Sequence, residues 1–164
     1  MKKNSRIFVL LISLLALIIL TQCNPGKKWE KEEKMMIENY IGTLGDTVAV
    51  QKPSGLYYIE LTPGIGAMPV TNDTVSIRYK GMFLDGQVFG SNLEDSTDYS
   101  FIVGAYQVID GMDEGIRYMK EGGISRLLIP SNLAYGSAGY GFIPGYTPLL
   151  FQIQLRKVRS GSKK

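Results

Sequence analysis

The sequence predicts an α+β fold in which a curved antiparallel β-sheet, a half-barrel, wraps around one short α-helix. Short segments of alternating polarity are separated by turn signals, as in sheets with one buried face. A single short stretch in the second half carries helix-start and helix-stop signals. The 164 residues are 45% hydrophobic and 20% charged, which supports one packed domain with an appendage. A signal peptide and an N-terminal helix are expected to precede this domain.

Residues 1–22 are predicted to be the signal peptide. Basic residues within positions 1–6 precede an apolar run over residues 7–20, and this leader contains no acidic residue. A helix that spans a bilayer needs about 20 apolar residues. The shorter run is typical of the hydrophobic part of a signal peptide. An uncleaved anchor helix is the alternative interpretation.

Cys23, the only cysteine of the chain, directly follows this leader. The segment Leu20-Thr21-Gln22-Cys23 resembles a bacterial lipobox, although Gln22 replaces the small residue of that pattern. Cys23 is therefore predicted to be the lipid-bearing first residue of the mature chain. The lipid would anchor the protein to a membrane of the bacterial cell envelope, with the protein facing the periplasm or the exterior. Ordinary cleavage next to an incidental cysteine is the alternative.

Residues 23–52 are predicted to form a tether that carries an amphipathic helix over residues 27–44. The apolar residues of this helix fall on one face: Trp29, Met36, Ile37, Tyr40 and Leu44. Such a stripe fits a membrane-surface helix, a partner-binding helix or a helix packed on its own domain. The last interpretation is favoured.

The main domain is predicted to span residues 53–158, and a basic tail follows at 159–164. The turn dipeptide Asp85-Gly86 lies between two apolar pairs and predicts a β-hairpin. Segments rich in alternating or β-branched residues predict the other strands, at 56–61, 74–80, 99–103, 125–129 and 149–155.

One short helix is predicted over residues 112–120. Asp110 is expected to be its N-cap, and Gly122-Gly123 is expected to end it. Asp113 and Glu114 suit the positive end of the helix. Because adjacent helix positions point apart, these two carboxylates are not expected to form an acid–base pair.

Composition and motifs exclude many functions. The chain has no histidine and a single cysteine, which excludes Ser-His and Cys-His mechanisms and a cysteine-based zinc site. It contains no GxSxG, P-loop or GxGxxG motif. Outside the leader, the 18 − 3 = 15 basic residues balance the 15 acidic ones, so a nucleic-acid partner is not favoured. No cofactor and no metal ion are expected.

Four segments follow one another within roughly residues 53–158. They are the hairpin from Val75 to Phe89, the stretch Val108-Ile109-Asp110-Gly111-Met112-Asp113-Glu114-Gly115, the loop motif from Ile129 through Ala134-Tyr135-Gly136, and Ile143-Pro144 with the last strand. In this order, they resemble the segments of FKBP-type peptidyl-prolyl cis-trans isomerases. The order of lipobox, charged helix and this domain also resembles FKBP-type lipoproteins of bacterial envelopes. The resemblance implies a prolyl isomerase that acts on proline-containing segments of client proteins.

The resemblance also implies the residues of the site. Tyr79, Phe89, Ile109, Tyr135 and Phe151 are implied to be catalytic. Tyr99, Val108, Met112, Tyr140 and Ile143 are implied to bind substrate. By the same resemblance, the Ile109 N–H and the Tyr135 hydroxyl would hold substrate carbonyls.

Two positions depart from the family pattern. Gly90 stands where an aspartate normally accepts a hydrogen bond inside the pocket, and Met112 replaces a tryptophan that forms its floor. Methionine keeps this floor apolar but leaves it mobile. These departures keep open a second interpretation, a weakly active or non-catalytic peptide-binding or assembly lipoprotein. A purely structural lipoprotein is the third, and it must treat the aromatic glycine-rich loop over residues 131–148 as accidental.

Overall fold

The computed structural model describes residues 25–161, so the predicted signal peptide, Cys23 and residues 162–164 lie outside the described residues. The elements, in chain order, are α1 (Pro25–Gly42), β1 (Val50–Gln51), β2 (Tyr57–Thr62), β3 (Thr74–Met82), β4 (Val88–Ser91), β5 (Tyr99–Ile102), α2 (Asp110–Ile116), β6 (Ile124–Ile129), a 3₁₀ turn (Ser131–Leu133) and β7 (Leu149–Arg159).

The described strands form one antiparallel sheet in the order β1-β2-β6-β7-β3-β4. The long strands β3 and β7 pair from Thr74 opposite Arg159 to Met82 opposite Leu150. On its other edge, β3 pairs with β5 along its first half and with β4 along its second half. Irregular register occurs within three of these pairings, and such bulges bend a sheet. The predicted curved antiparallel sheet is confirmed.

The main core lies between α2 and one face of the sheet. Met112 and Ile116 on α2 are buried, and the alternating apolar residues of β3, β6 and β7 meet them. Gly111 and Gly115 face β6, where an added Cβ would lie 2.3 Å from Ile129 Cγ2 and from Leu127 Cδ1, respectively. The absence of side chains at these two positions therefore allows α2 to lie directly against the sheet.

The start of α2 differs from the prediction. The helix begins at Asp110, and the N-cap is Ile109, whose side chain makes no capping hydrogen bond. The Ile109 carbonyl accepts from the N–H groups of Met112 and Asp113. Asp110 is therefore already helical, and the prediction that it caps the helix is wrong. Asp113 instead accepts from the Gly104 N–H and pairs with Arg117.

The helix α1 packs on the opposite face of the sheet, as the favoured interpretation of residues 27–44 predicts. Ile37 is buried against Leu128 of β6 and Leu150 of β7. Trp29 and Met36, which were expected on the packed face, remain 48% and 44% exposed. The face of α1 that contacts the sheet is therefore rotated about the helix axis, away from Trp29 and Met36 of the predicted apolar stripe. Within residues 25–161, no helix combines the length and hydropathy needed to span a membrane.

The sheet extends slightly beyond the predicted domain at both ends. The short strand β1 pairs with β2, although no strand was predicted there. The strand β7 continues to Arg159, and the Gly161 N–H donates to Asp73. The predicted limits at residues 53 and 158 remain predictions.

Candidate active site

A cavity of about 300 Å³ opens between the start of α2 and the curved sheet. Eight of the ten predicted catalytic and substrate-binding residues line it: Tyr79, Phe89, Tyr99, Val108, Ile109, Met112, Tyr135 and Phe151. Gly90 and Gln107 complete the lining, and no charged side chain is part of it. The fold therefore brings together residues from four strands, one helix and two loops. Their catalytic roles remain predictions.

Aromatic side chains from three adjacent strands form one wall of the cavity. The rings of Phe89 on β4 and Phe151 on β7 meet edge to face, with centroids 5.5 Å apart. Tyr79 on β3 lies 6.1 Å from Phe151. Gly81 provides the space for this packing, because a Cβ there would lie 2.7 Å from Phe89 and 2.9 Å from Phe151. Sequence analysis missed this role of Gly81.

The floor of the cavity forms where the chain enters α2. Met112 is almost fully buried, and Val108 and Ile109 pack against the same core. Ile109 is the N-cap of α2, and its N–H has no acceptor within residues 25–161. An unpaired backbone donor beside an apolar cavity is suited to binding a carbonyl oxygen of a ligand.

Tyr135 is placed by a tight turn that follows β6. The N–H groups of Ala134 and Gly136, on either side of Tyr135, donate to the Ser131 carbonyl at 2.9 and 2.7 Å. The Tyr135 ring stacks on Tyr140, with centroids 5.2 Å apart. The pKa of Tyr135 is raised above its ordinary value of 10. Burial is the largest cause, and the nearby Tyr140 and Tyr79 hydroxyls add to it. Its hydroxyl therefore stays a hydrogen-bond donor at neutral pH.

The Tyr79 hydroxyl has no protein partner in the part of the chain that the structure describes. Every buried side-chain polar atom of the described residues has a hydrogen-bond partner. Since the Tyr79 hydroxyl has none, it is not buried and faces solvent-accessible space. Gly90 lies beside it, and a Cβ at Gly90 would be 3.9 Å from Tyr79 Cε2, an ordinary contact distance. The position therefore has room for a Cβ atom, and no backbone or side-chain atom of the described residues would clash with it.

Tyr140 and Ile143 do not line the cavity. The Tyr140 side chain is 70% exposed and contacts the site through its stacking on Tyr135. Ile143 was expected to bind substrate, but its side chain is buried in the main core. A backbone bridge between Tyr140 and Ile143 forms a narrow turn, which puts one side chain in solvent and the other inside.

A family model described as FKBP-type peptidyl-prolyl cis-trans isomerase matches residues 66–156. The chain belongs to this family. The predictions of an FKBP-type fold and of an enzyme family are confirmed. The match lies entirely inside the predicted main domain, and it includes every residue that lines the cavity.

Relatives agree with this assignment. The chain is 34% identical to the macrophage infectivity potentiator of Trypanosoma cruzi, over 97% of this chain and 86% of that protein. It is also 34% identical to FkpA of Escherichia coli, over 85% of this chain. The chain spans 48% of FkpA and 28% of FK506-binding protein 4 of Emericella nidulans, half or less of these relatives.

Solved structures show the same fold. The crystal structure of FkpA from Escherichia coli superposes with a TM-score of 0.72 and 30% identity, and the match covers 93% of this chain and 73% of that one. A peptidyl-prolyl cis-trans isomerase from Pseudomonas syringae gives a TM-score of 0.70 at 31% identity, over 85% of this chain and 99% of that one.

Gln107 is the FKBP cavity residue that sequence analysis did not consider. Its side-chain carbonyl accepts from the Ile102 N–H at 2.8 Å, which ties the loop before α2 to the end of β5. A single glutamine in a loop carries no periodicity or motif, so only the folded structure reveals its place.

Proposed function

We propose that this protein catalyses the cis–trans isomerisation of X-Pro peptide bonds, and that the reaction takes place in the cavity between α2 and the sheet. One observation carries the proposal. The cavity combines aromatic and aliphatic walls, no charged side chain, and two hydrogen-bond donors, the Ile109 N–H and the Tyr135 hydroxyl.

Such a cavity can lower the barrier without an acid, a base or a covalent step. Rotation about a peptide bond breaks its resonance and has a barrier of about 18–20 kcal/mol. The planar amide is strongly dipolar and is stabilised by water, whereas the twisted amide carries less charge on its oxygen. Transfer into an apolar cavity therefore destabilises the planar form more than the twisted one. This is preferential binding of the transition state.

The lining residues divide this work. The proline ring would pack against the wall formed by Phe89, Phe151 and Tyr79. Val108 and Met112 form the floor of the cavity. The two donors would hold carbonyl groups of the substrate on either side of the rotating bond. We assign supporting parts to Tyr99, which packs against Tyr79 in the lining, to Tyr140, which stacks on Tyr135, and to Ile143, whose backbone bridge with Tyr140 shapes the same loop.

We further propose that the protein assists the folding of envelope or secreted proteins while anchored to a membrane by lipid on Cys23. The apolar leader, the lipobox-like segment and the position of the only cysteine support this assignment. A lipid anchor at Cys23 would keep the isomerase domain near a membrane surface.

A second candidate is a peptide-binding or assembly module that binds proline segments and does not catalyse their isomerisation. Gly90 and Met112 favour it, because both remove groups that would order the site. The apolar cavity and both donors are nevertheless present, and they carry the isomerase proposal.

The two candidates are separated by a prolyl-isomerase assay on the purified protein with peptides that differ in the residue before proline. We expect Leu-Pro and Phe-Pro peptides to react faster than Glu-Pro peptides, because the cavity offers no partner for a buried charge. Phe89→Ala should lower kcat/KM by removing wall area. Val88→Ala, at an exposed neighbour on β4, is the control.

Two results would count against the isomerase. A folded protein that binds proline peptides without accelerating their isomerisation would be the binding module. An unchanged rate in Phe89→Ala would mean that the reaction takes place elsewhere.

A further inference from the structure

A buried hydrogen-bonded contact joins the N-terminal helix to the loop that carries Tyr135. Glu33 of α1 is only 8% exposed, and Ser131 is 4% exposed. One carboxyl oxygen of Glu33 accepts from the Ser131 N–H, and the other accepts from the Ser131 hydroxyl at 2.7 Å. The two residues are 98 positions apart in the sequence. Of the ion pairs between described residues, none includes Glu33.

Ser131 is also the anchor of the turn that presents Tyr135. Its carbonyl accepts from the N–H groups of Ala134 and Gly136, which flank Tyr135 on both sides. The Gly136 carbonyl then accepts from the Tyr146 N–H, so the turn is tied to the far end of the same loop. A continuous series of hydrogen bonds therefore leads from Glu33 through Ser131 to the backbone on each side of Tyr135.

Packing alone does not require a carboxylate at this position. The neighbouring contact of α1 with the sheet is made by Ile37 against Leu128 and Leu150, and an apolar residue would extend it. Burying a carboxyl group is costly unless hydrogen bonds satisfy it. In this structure Glu33 satisfies two donors of one residue and makes no other hydrogen bond in the described chain. The two hydrogen bonds of Glu33 therefore stabilise the loop that carries Tyr135 more directly than they stabilise α1.

We propose that Glu33 is a positioning residue of the isomerase site, and that α1 thereby forms part of the active-site architecture. This inference rests on the proposed isomerase function. By fixing Ser131, Glu33 holds the turn that aims the Tyr135 hydroxyl at the substrate carbonyl. A small displacement of a binding group can cost a large part of the rate.

The test compares variants of the full-length protein in the prolyl-isomerase assay. We expect Glu33→Ala to lower kcat/KM about tenfold, as a displaced donor would. Glu33→Gln keeps the shape and one acceptor, and should lower it only about threefold. Glu38→Ala is the matched control, because Glu38 lies on the same helix, is exposed and, between residues 25 and 161, pairs only with Lys34. It should leave the rate unchanged.

A double-mutant cycle separates positioning from stability. If Glu33 acts through Tyr135, Glu33→Ala should cause little further loss in a Tyr135→Phe background. Amide hydrogen exchange should quicken at Ala134 and Gly136 in Glu33→Ala and stay unchanged in Glu38→Ala. The exchange measurement does not depend on activity.

Additive losses in the cycle would overturn the proposal, and so would unchanged exchange at Ala134 and Gly136. If Glu33→Ala reduces the amount of folded protein while the folded fraction keeps its normal kcat/KM, the role of Glu33 is merely structural. This result would also overturn the proposal. If the wild type lacks isomerase activity, the proposed function fails, and exchange alone then decides whether Glu33 orders this turn.

Discussion

At the scale of single residues, the Tyr79 hydroxyl shows what the departure at Gly90 changes. This hydroxyl has no protein partner among the described residues, whereas Gly90 has room for a side chain next to it. The Tyr79 ring still packs within the aromatic wall. With glycine at position 90, the aromatic wall is therefore packed, and the Tyr79 hydroxyl has no partner among the described residues.

Gly90→Asp should raise kcat/KM about fivefold. The new carboxylate would accept from the Tyr79 hydroxyl, and one such hydrogen bond contributes about 1 kcal/mol. The measurement is the isomerase assay on wild type and variant, with Gly90→Ala as the control that adds a Cβ without an acceptor. Equal rates in the Asp and Ala variants would show that the hydrogen bond does not order the site.

The rate should be flat between pH 6 and pH 9. The chain has no histidine, and burial raises the pKa of Tyr135 above 10. The neutral hydroxyl is the form that donates, so the donor is fully present throughout this range and is lost only above pH 10. Because the folded pKa exceeds the unfolded one, the contribution of this hydroxyl to stability is also fully present below pH 10 and is lost as the pH rises above it. A titration of kcat/KM with a midpoint between pH 6 and pH 9 would contradict this assignment.

At the scale of elements, α2 depends on glycines for its distance from the sheet. A Cβ at Gly115 would meet Leu127 Cδ1 at 2.3 Å, and one at Gly111 would meet Ile129 equally closely. The same helix begins beside the Ile109 N–H, which has no acceptor among the described residues, and it supplies Met112 to the cavity. The approach of α2 to β6 therefore sets the depth of the site.

Gly115→Ala should lower the free energy of unfolding by about 1–3 kcal/mol, the usual range for overpacking a core. Gly42→Ala is the control, because Gly42 is also helical and a Cβ there meets nothing within 4 Å. Urea unfolding of both variants is the measurement. Equal stability of the two variants would show that α2 adjusts freely against the sheet.

At the scale of the whole molecule, the sheet is covered on both faces. The helix α2 fills the concave side, and α1 covers part of the other side through Ile37, Leu128 and Leu150. The helix α1 is therefore packed on the sheet at Ile37, with Tyr40 and Ile41 partly buried in the same cluster. This packing also brings Glu33 to Ser131.

Ile37→Ala should lower the free energy of unfolding by about 2–4 kcal/mol, because it leaves a cavity between α1 and the sheet. Met36→Ala, at the adjacent but 44% exposed residue, should lower it by much less. Thermal or urea unfolding compares the two. If both variants lose the same stability, α1 does not pack on the sheet through Ile37.

The anchoring proposal concerns the intact protein in its envelope. Cys23→Ser should release the protein from membranes or leave the leader attached, because serine cannot accept the lipid. Membrane fractionation and mass spectrometry of the mature N-terminus provide the measurement. An unmodified Cys23 in membrane-bound wild type would refute lipid anchoring.

Local sequence patterns were sufficient to predict most elements of the sheet and the hairpin at Asp85-Gly86. Strand alternation and turn residues act between neighbours in the chain, so a sequence displays them directly. The ordered family segments then predicted eight residues that meet in the cavity. The start of α2 was predicted less well. Its N-cap, Ile109, makes no side-chain capping hydrogen bond, so the sequence shows no capping residue there.

Which distant residues meet depends on how the elements pack in the folded chain. The exposure of Trp29 and Met36 follows from how α1 lies on the sheet, and the Glu33–Ser131 contact joins positions 98 residues apart. Gly81 matters because two rings from other strands occupy its side-chain space. Such contacts depend on the packing of several elements at once, and no period or motif within one segment encodes them. Patterns between neighbouring residues therefore predict most strands and the family, whereas the geometry of the site follows from packing between elements.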